Sequence, residues 1–116
     1  MDAEIKACIV LSNELSWFLN AIREDSRISP VHISLFMAIM QLWSKNNHRN
    51  PISILTRELM SLSKISGRAT YYKSLRELHE YGYIRYKPSH DCLTGTFIYV
   101  IDCIKMQENW LLKKLK

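Results

Sequence analysis

Residues 57–84 read RELMSLSKISGRATYYKSLRELHEYGYI. Leu55, Leu59 and Leu62 recur at helical spacing, which predicts a short helix over about Leu55 to Ser61 with these three facing inward. The stretch from Ser61 to Ser66 then reads as a tight turn that delivers Ser66 as the N-cap of a new helix, about Gly67 to Tyr81. In that helix Tyr71, Leu75 and Leu78 share one stripe. Gly82 follows, the residue type that accepts the left-handed conformation at a helix C-terminus.

Upstream, residues 3–25 carry Ile5, Cys8, Ile9, Leu11, Leu15, Phe18, Leu19 and Ile22 at 3/4 spacing, the pattern of an amphipathic helix, with Trp17 beside the stripe. Ser29-Pro30 starts the next helix, Ser as N-cap and Pro at the first helical position. Val31 to Trp43 is apolar nearly all round, as befits the centre of a small core, and Asn46-Asn47 ends it. Beyond Asn50-Pro51, Ile52-Ser53-Ile54 predicts a short strand. Downstream, Tyr83 to Lys87 and Thr96 to Asp102 are β-prone, and Pro88 to Gly95 is a polar loop, so an antiparallel hairpin with a long loop is expected over 83–102. A last amphipathic helix, about 104–115, offers Ile104, Trp110, Leu111 and Leu115 for packing. Its lysines lie at the C-terminal end, where the helix dipole favours them.

The expected fold is therefore mainly α with a small β-hairpin (α+β), in one domain. It is a winged helix-turn-helix core over about 30–102 with extra N- and C-terminal helices. Glu58-Leu59, Ser66, Thr70, Leu75, Leu78, Gly82 and Ile84 together resemble the winged-helix pattern of bacterial regulators. Ser29-Pro30, Asn50-Pro51-Ile52-Ser53 and Tyr81-Gly82-Tyr83-Ile84-Arg85-Tyr86 are similar to phrases in small winged-helix proteins of bacterial conjugative and other mobile elements. They also resemble the N-terminal domains of some replication-initiation proteins. The resemblance implies DNA binding in the regulation, excision or replication of an element.

Charge agrees with that implication. The chain carries net +5, but residues 1–44 are net −2 and residues 91–116 net +1. Residues 45–90 hold nine basic and three acidic side chains, a net of +6. A positive excess confined to one segment is the footprint of a polyanion site. In this fold the helix at 67–81 enters the major groove. Its outward positions are Gly67, Arg68, Thr70, Tyr72, Lys73 and Arg76, with Ser74 also a candidate. Arg68 is suited to guanine O6/N7, and Thr70 and Tyr72 to base edges or phosphate. Lys73 and Arg76, further along, suit phosphates. Ser66 and the free N–H groups after it can hold another phosphate. Arg85, Lys87 and His90 belong to the hairpin wing on the backbone, and Arg57 and Lys64 flank the preceding helix. Against this stand plainer readings: a solvated basic face, Tyr71 and Tyr72 both in the core, Glu77 and Arg76 as a surface ion pair, and His79 as a surface or packing residue.

Other classes find little support. Cys8, Cys92 and Cys103 form no C-x-x-C pair, and His90 with Asp91 and Cys92 on one loop makes no metal site, so neither a disulfide framework nor a metal is expected. No G-x-S-x-G, phosphate-binding loop or H-E-x-x-H is present, so no enzymatic activity and no cofactor are expected. Apolar runs are far shorter than a membrane span, and Met1-Asp2-Ala3-Glu4 is acidic where a signal peptide is basic. The chain is read as cytoplasmic, at the bacterial nucleoid. The expected partner is double-stranded DNA, with no membrane and no small-molecule effector. The alternative is a replication-initiation or partition adaptor that uses the winged helix for protein contacts, and a third reading is a structural interaction module. Leu11, Trp17, Phe18, Trp110, Leu111 and Leu112 exceed what a small winged core needs, so a homodimer through the N- and/or C-terminal helices is expected.

Overall fold

Ser29-Pro30 starts the helix on which the other elements pack. In the computed structural model, which describes residues 3–87 and 96–101, that helix is α2 (Pro30–Lys45), and α1 (Ala3–Ile22) precedes it. After α2 come β1 (Ile52–Ile54), α3 (Thr56–Ser63), α4 (Arg68–Glu80), β2 (Ile84–Lys87) and β3 (Thr96–Val100). Among the described residues the chain is a mainly helical α+β domain of four helices and one three-stranded antiparallel sheet. No described helix is long and apolar enough to cross a membrane. The loop at 88–95, with His90, and the expected last helix at 104–115 lie outside the described residues.

The near-continuous apolar run of α2 has the consequence read from it. Leu35, Phe36, Ile39, Met40 and Trp43 are all buried, joined by Phe18 of α1, Leu59 of α3, and Tyr71, Leu75 and Leu78 of α4. Ile84 of β2 and Ile98 of β3 close the core from the sheet side. Each such side chain, fully buried, contributes about 1.5–3 kcal/mol. The Phe18 ring stacks on Phe36 with centroids 3.7 Å apart and meets Tyr83 edge-on at 5.4 Å. The described side chains of α1 that pack on the core lie in its second half. Ile5, Ile9 and Leu19, expected on the packing stripe, are exposed, whereas Leu15, Trp17, Phe18, Ala21 and Ile22 pack inward.

The sheet order is β1-β3-β2. Ile84↔Val100 and Lys87↔Phe97 mark the ends of the expected antiparallel hairpin. The short strand at 52–54 was legible, but its place was not: Ile52↔Ile98 and Ile54↔Thr96 pair it to the far edge of β3. The Asn50 side-chain amide continues that edge, donating to the Val100 carbonyl at 2.9 Å and accepting the Val100 N–H at 3.0 Å. Alternation turns Ile52, Ile54, Ile84, Ile98 and Val100 to the core and Ser53, Arg85, Lys87 and Tyr99 to the outside.

Two expectations for the segment before α4 are corrected. Leu55 and Leu62 are exposed, not inward. Leu55 is the extended N-cap residue of α3, and the face set against α2 runs along Leu59 and Ser63. Ser63 is buried because its hydroxyl donates to the Leu59 carbonyl at 2.7 Å, while its own carbonyl accepts the Ser34 hydroxyl of α2. Second, Ser66 is not the N-cap of α4; Gly67 is. Lys64 ends α3 in the left-handed region (φ 63°), and Ile65 drops into the core with its N–H on the Met60 carbonyl at 3.1 Å. This buried anchor keeps the next two residues out of the helix, which begins at Arg68. Gly82 does take the expected left-handed conformation, φ 90°.

Candidate nucleic-acid interface

The exposed side of α4 follows from the phase of its buried side. Tyr71, Ser74, Leu75 and Leu78 are buried, so the opposite arc carries Arg68, Thr70, Tyr72, Lys73 and Arg76, all exposed. Ser74 is thereby removed from the outward candidates. The two adjacent tyrosines divide: Tyr71 is fully buried, and burial pushes its phenol up to about 12. Tyr72 lies on the surface with its ring 5.0 Å from that of Tyr71 and its hydroxyl 3.3 Å from Thr56 Oγ1. Glu77 stands one turn beyond Lys73 on the same side of the helix, where the charge of Lys73 acts on it, and Glu80 stands at the far end.

Glu77 turns its carboxylate toward Tyr81 and His32. It does not pair with Arg76; its carboxylate accepts the Tyr81 hydroxyl at 3.0 Å and lies 3.2 Å from His32 Nε2. The Ser29 N–H donates to His32 Nδ1 at 2.9 Å, which leaves Nε2 to carry the proton shared with Glu77. Hydrogen bonds from Tyr81, foremost, and from His32 hold the Glu77 carboxyl below its ordinary range. The same contact with Glu77 raises the Tyr81 phenol. Arg27 lies 4.1 Å over the Tyr81 ring and forks onto Asp25, which also accepts the Tyr83 hydroxyl at 2.7 Å. Arg27 and Tyr83 hold the Asp25 carboxyl far below its ordinary value, and burial together with that bond pushes Tyr83 up to about 12. The C-terminal end of α4 is thus tied to the α1–α2 connection, while nearer its N-terminal end the Tyr72 hydroxyl meets Thr56 Oγ1 of α3. His79 is exposed, and its Nδ1 accepts the Tyr86 N–H at 3.0 Å, linking α4 to β2.

At the N-terminal end, the helical ladder begins with Tyr71 N–H on the Gly67 carbonyl at 3.0 Å, and no side chain caps the N–H groups before it. Beside them lies an open groove of about 580 Å³ between α3 and the start of α4. Arg57, Lys64 and Arg68 line it together with the hydroxyls of Thr56, Ser61 and Ser66. Ser66, though not a cap, therefore still faces the position where an anion would meet the helix N-terminus. On the hairpin, Arg85 and Lys87 point to the outer face of the sheet. His90 lies outside the described residues.

Of the candidates, the structure gathers Arg57, Lys64, Ser66 and Arg68 around one groove and puts Thr70, Tyr72, Lys73 and Arg76 on the adjoining arc. Thr56 and Ser61 were not singled out from sequence; a signal for them is their place one residue before Arg57 and three before Lys64, on the side of α3 that meets α4. Among the described residues no group of three or more His, Cys, Asp or Glu is placed to hold a metal ion. Comparison of the chain with family models, curated proteins and solved structures gave no match.

Proposed function

We propose that this domain is a winged helix-turn-helix that binds double-stranded DNA. Helix α4 enters the major groove, and the β2–β3 hairpin runs along the backbone. The observation that carries the reading is the α4 arc: Arg68, Thr70, Tyr72, Lys73 and Arg76 exposed together, continuous with the cationic groove of Arg57 and Lys64. A helix about 10–12 Å across fits a major groove about 12 Å wide, and the residues of its first turns then reach base edges. In this arrangement Arg68 reads a guanine, while Lys73, Arg76, Arg57 and Lys64 hold phosphates. The uncapped N–H groups of α4 complete the clamp on the backbone. The role that follows is sequence-selective regulation or an accessory function of a mobile element, without catalysis.

The test is fluorescence anisotropy on random-sequence duplexes across a salt series, followed by sequencing of the retained fraction. Salt-sensitive binding with an enriched motif is the expected result. Salt-sensitive binding without enrichment would replace selective regulation by an architectural or replication role. No binding at low salt would overturn DNA binding and leave α4 as a surface for protein contacts.

A further inference from the structure

The sheet gives its inner face to the core, and its outer face has a chemistry of its own. The outward residues of the three strands are Ser53 of β1, Arg85 and Lys87 of β2, and Phe97 and Tyr99 of β3. The set holds two aromatic rings, two cations and no carboxylate. Arg85 and Lys87 are exposed, Tyr99 is 37% exposed, and Phe97 is half-buried without joining the core cluster. The register orders them: Lys87 stands directly opposite Phe97, and Arg85 directly opposite Tyr99. Directly opposed side chains have Cβ atoms about 4.5–5.5 Å apart, so each ring has one cation at its side. Among the described residues neither ring is paired with another ring, and neither cation is held in an ion pair.

We propose that this outer face binds an unpaired DNA strand, with two successive bases stacked on Phe97 and Tyr99 and their phosphates held by Lys87 and Arg85. Rings and cations alternate across the face, so the ligand that fits must alternate planar apolar groups with anions. A nucleotide strand is such a ligand, one base and one phosphate per repeat. An apolar peptide would bury the two cations without a partner, which is costly. The rings also select an unpaired strand over a duplex. A side-chain ring stacks on the face of a base, and in a duplex both faces of each base are covered by its neighbours. Spacing agrees: Phe97 and Tyr99 lie two residues apart on one strand, about 7 Å, twice the ~3.4 Å between stacked bases in a duplex. A strand seated on both rings is therefore drawn out of its stacked geometry. The inference goes beyond the duplex reading and does not depend on α4.

The experiment titrates the full chain into fluorescein-labelled oligo(dT) of about 12 nucleotides, within the ~4–16 that a small single-strand site spans, and follows anisotropy at low salt. An abasic deoxyribose-phosphate strand, oligo(rU) and a DNA duplex, all of the same length, are the comparison probes. The wild type is expected to bind oligo(dT). Tyr99→Leu, at an exposed position, and Phe97→Leu, each with unchanged circular dichroism, are expected to weaken that binding about 5- to 150-fold, the equivalent of the ~1–3 kcal/mol of one base–aromatic stack. Tyr99→Trp is expected to keep it. The abasic strand should bind more weakly than oligo(dT), and equally to the wild type and the Leu variants. Arg85→Gln/Lys87→Gln should lower the salt slope on oligo(dT) by about 1.4, at ~0.7 per phosphate of a single strand. The Leu variants are expected to keep wild-type affinity for the duplex, so their loss on oligo(dT) reports this face alone. A chain that binds oligo(dT) but no duplex would overturn the α4 reading and leave this one standing. No binding of oligo(dT) at low salt overturns the proposal, including the case in which another segment of the chain covers the face. Equal binding of the abasic strand, an affinity unmoved by the Leu variants, or an equal loss on the duplex also overturns it. Tighter binding of oligo(rU) than of oligo(dT) overturns the assignment to DNA.

Discussion

Replacing Phe18 by Ala tests whether α1 is part of the cooperative core. Phe18 is fully buried, stacked on Phe36 at 3.7 Å with the rings 7° from parallel and edge-on to Tyr83 at 5.4 Å. Truncating a buried Phe to Ala costs about 3–5 kcal/mol, from lost transfer energy and the cavity left behind. Phe18 is expected toward the upper half of that range, because it also forfeits two aromatic pairs worth about 0.5–1.5 kcal/mol each. A chain of this length has a total stability of about 6–17 kcal/mol at the usual value per residue, so the loss is a large fraction of the whole. Urea unfolding followed by circular dichroism should show the midpoint falling by about 2 M or more at an unchanged slope. Leu55→Ala, at an exposed position, should stay within about 0.5 kcal/mol of wild type. A loss below about 1 kcal/mol for Phe18→Ala would refute the reasoning, since α1 would then contribute no packed contact to α2 and Tyr83.

Four further outcomes are expected. Arg68→Ala should relax sequence preference at one position and cost about 1–3 kcal/mol on the selected site, read by competition anisotropy; equal loss on every duplex would remove its base-reading role. The double variant Lys73→Ala/Arg76→Ala should lower the slope of log affinity against log salt by about 1.8, at about 0.9 per lost phosphate contact. Over a fourfold rise in salt, that amounts to about a twelvefold smaller loss of affinity than wild type shows, and an unchanged slope would take both side chains off the backbone. Gly82→Ala should cost about 1–2 kcal/mol in thermal or urea unfolding: space is open around an added Cβ, but φ 90° strains any L residue, so a neutral result would contradict the left-handed turn. Asp25 is held below its ordinary value of 3.8 by Arg27 and Tyr83, so its contribution is present above that value and is lost as pH falls through the folded one. Asp25→Asn should therefore flatten the decline of stability between about pH 5 and pH 2, and an identical acid limb in the two proteins would count against the network.

Much of this architecture is written in local patterns, and the misses share a cause. The interior of α2, the buried stripe Tyr71–Leu75–Leu78 and the Gly82 turn follow from periodicity and from one residue's freedom at positive φ, which need no knowledge of the partner element. The stripe of α1 could not be placed as well, because its apolar residues occupy more than one side. Periodicity cannot say that Phe18 meets Phe36 while Ile5, Ile9 and Leu19 remain outside. In α3, Leu62 outranks Ser63 on any hydrophobic scale, yet Ser63 is buried because its hydroxyl is satisfied by the Leu59 carbonyl. The start of α4 shifted by one residue because Ile65, a tertiary anchor, decides where the turn closes. The pairing of β1 with β3 and the Arg27–Tyr81–Glu77–His32 chain join residues about 45 positions apart or more at some step, a separation no local reading reaches. The exposed cations of α4 were legible for the opposite reason: their placement is the complement of a strongly periodic buried face.

The most direct measurement of the central claim is dimethyl sulfate interference on the duplex enriched from the random pool. Methylation at guanine N7 blocks the major groove, and methylation at adenine N3 blocks the minor groove. Entry of α4 into the major groove predicts that guanine N7 methylation within the motif abolishes binding and that Arg68→Ala removes the sensitivity at one guanine. Binding that tolerates every guanine N7 methylation, or is blocked only by adenine N3 methylation, would contradict the account.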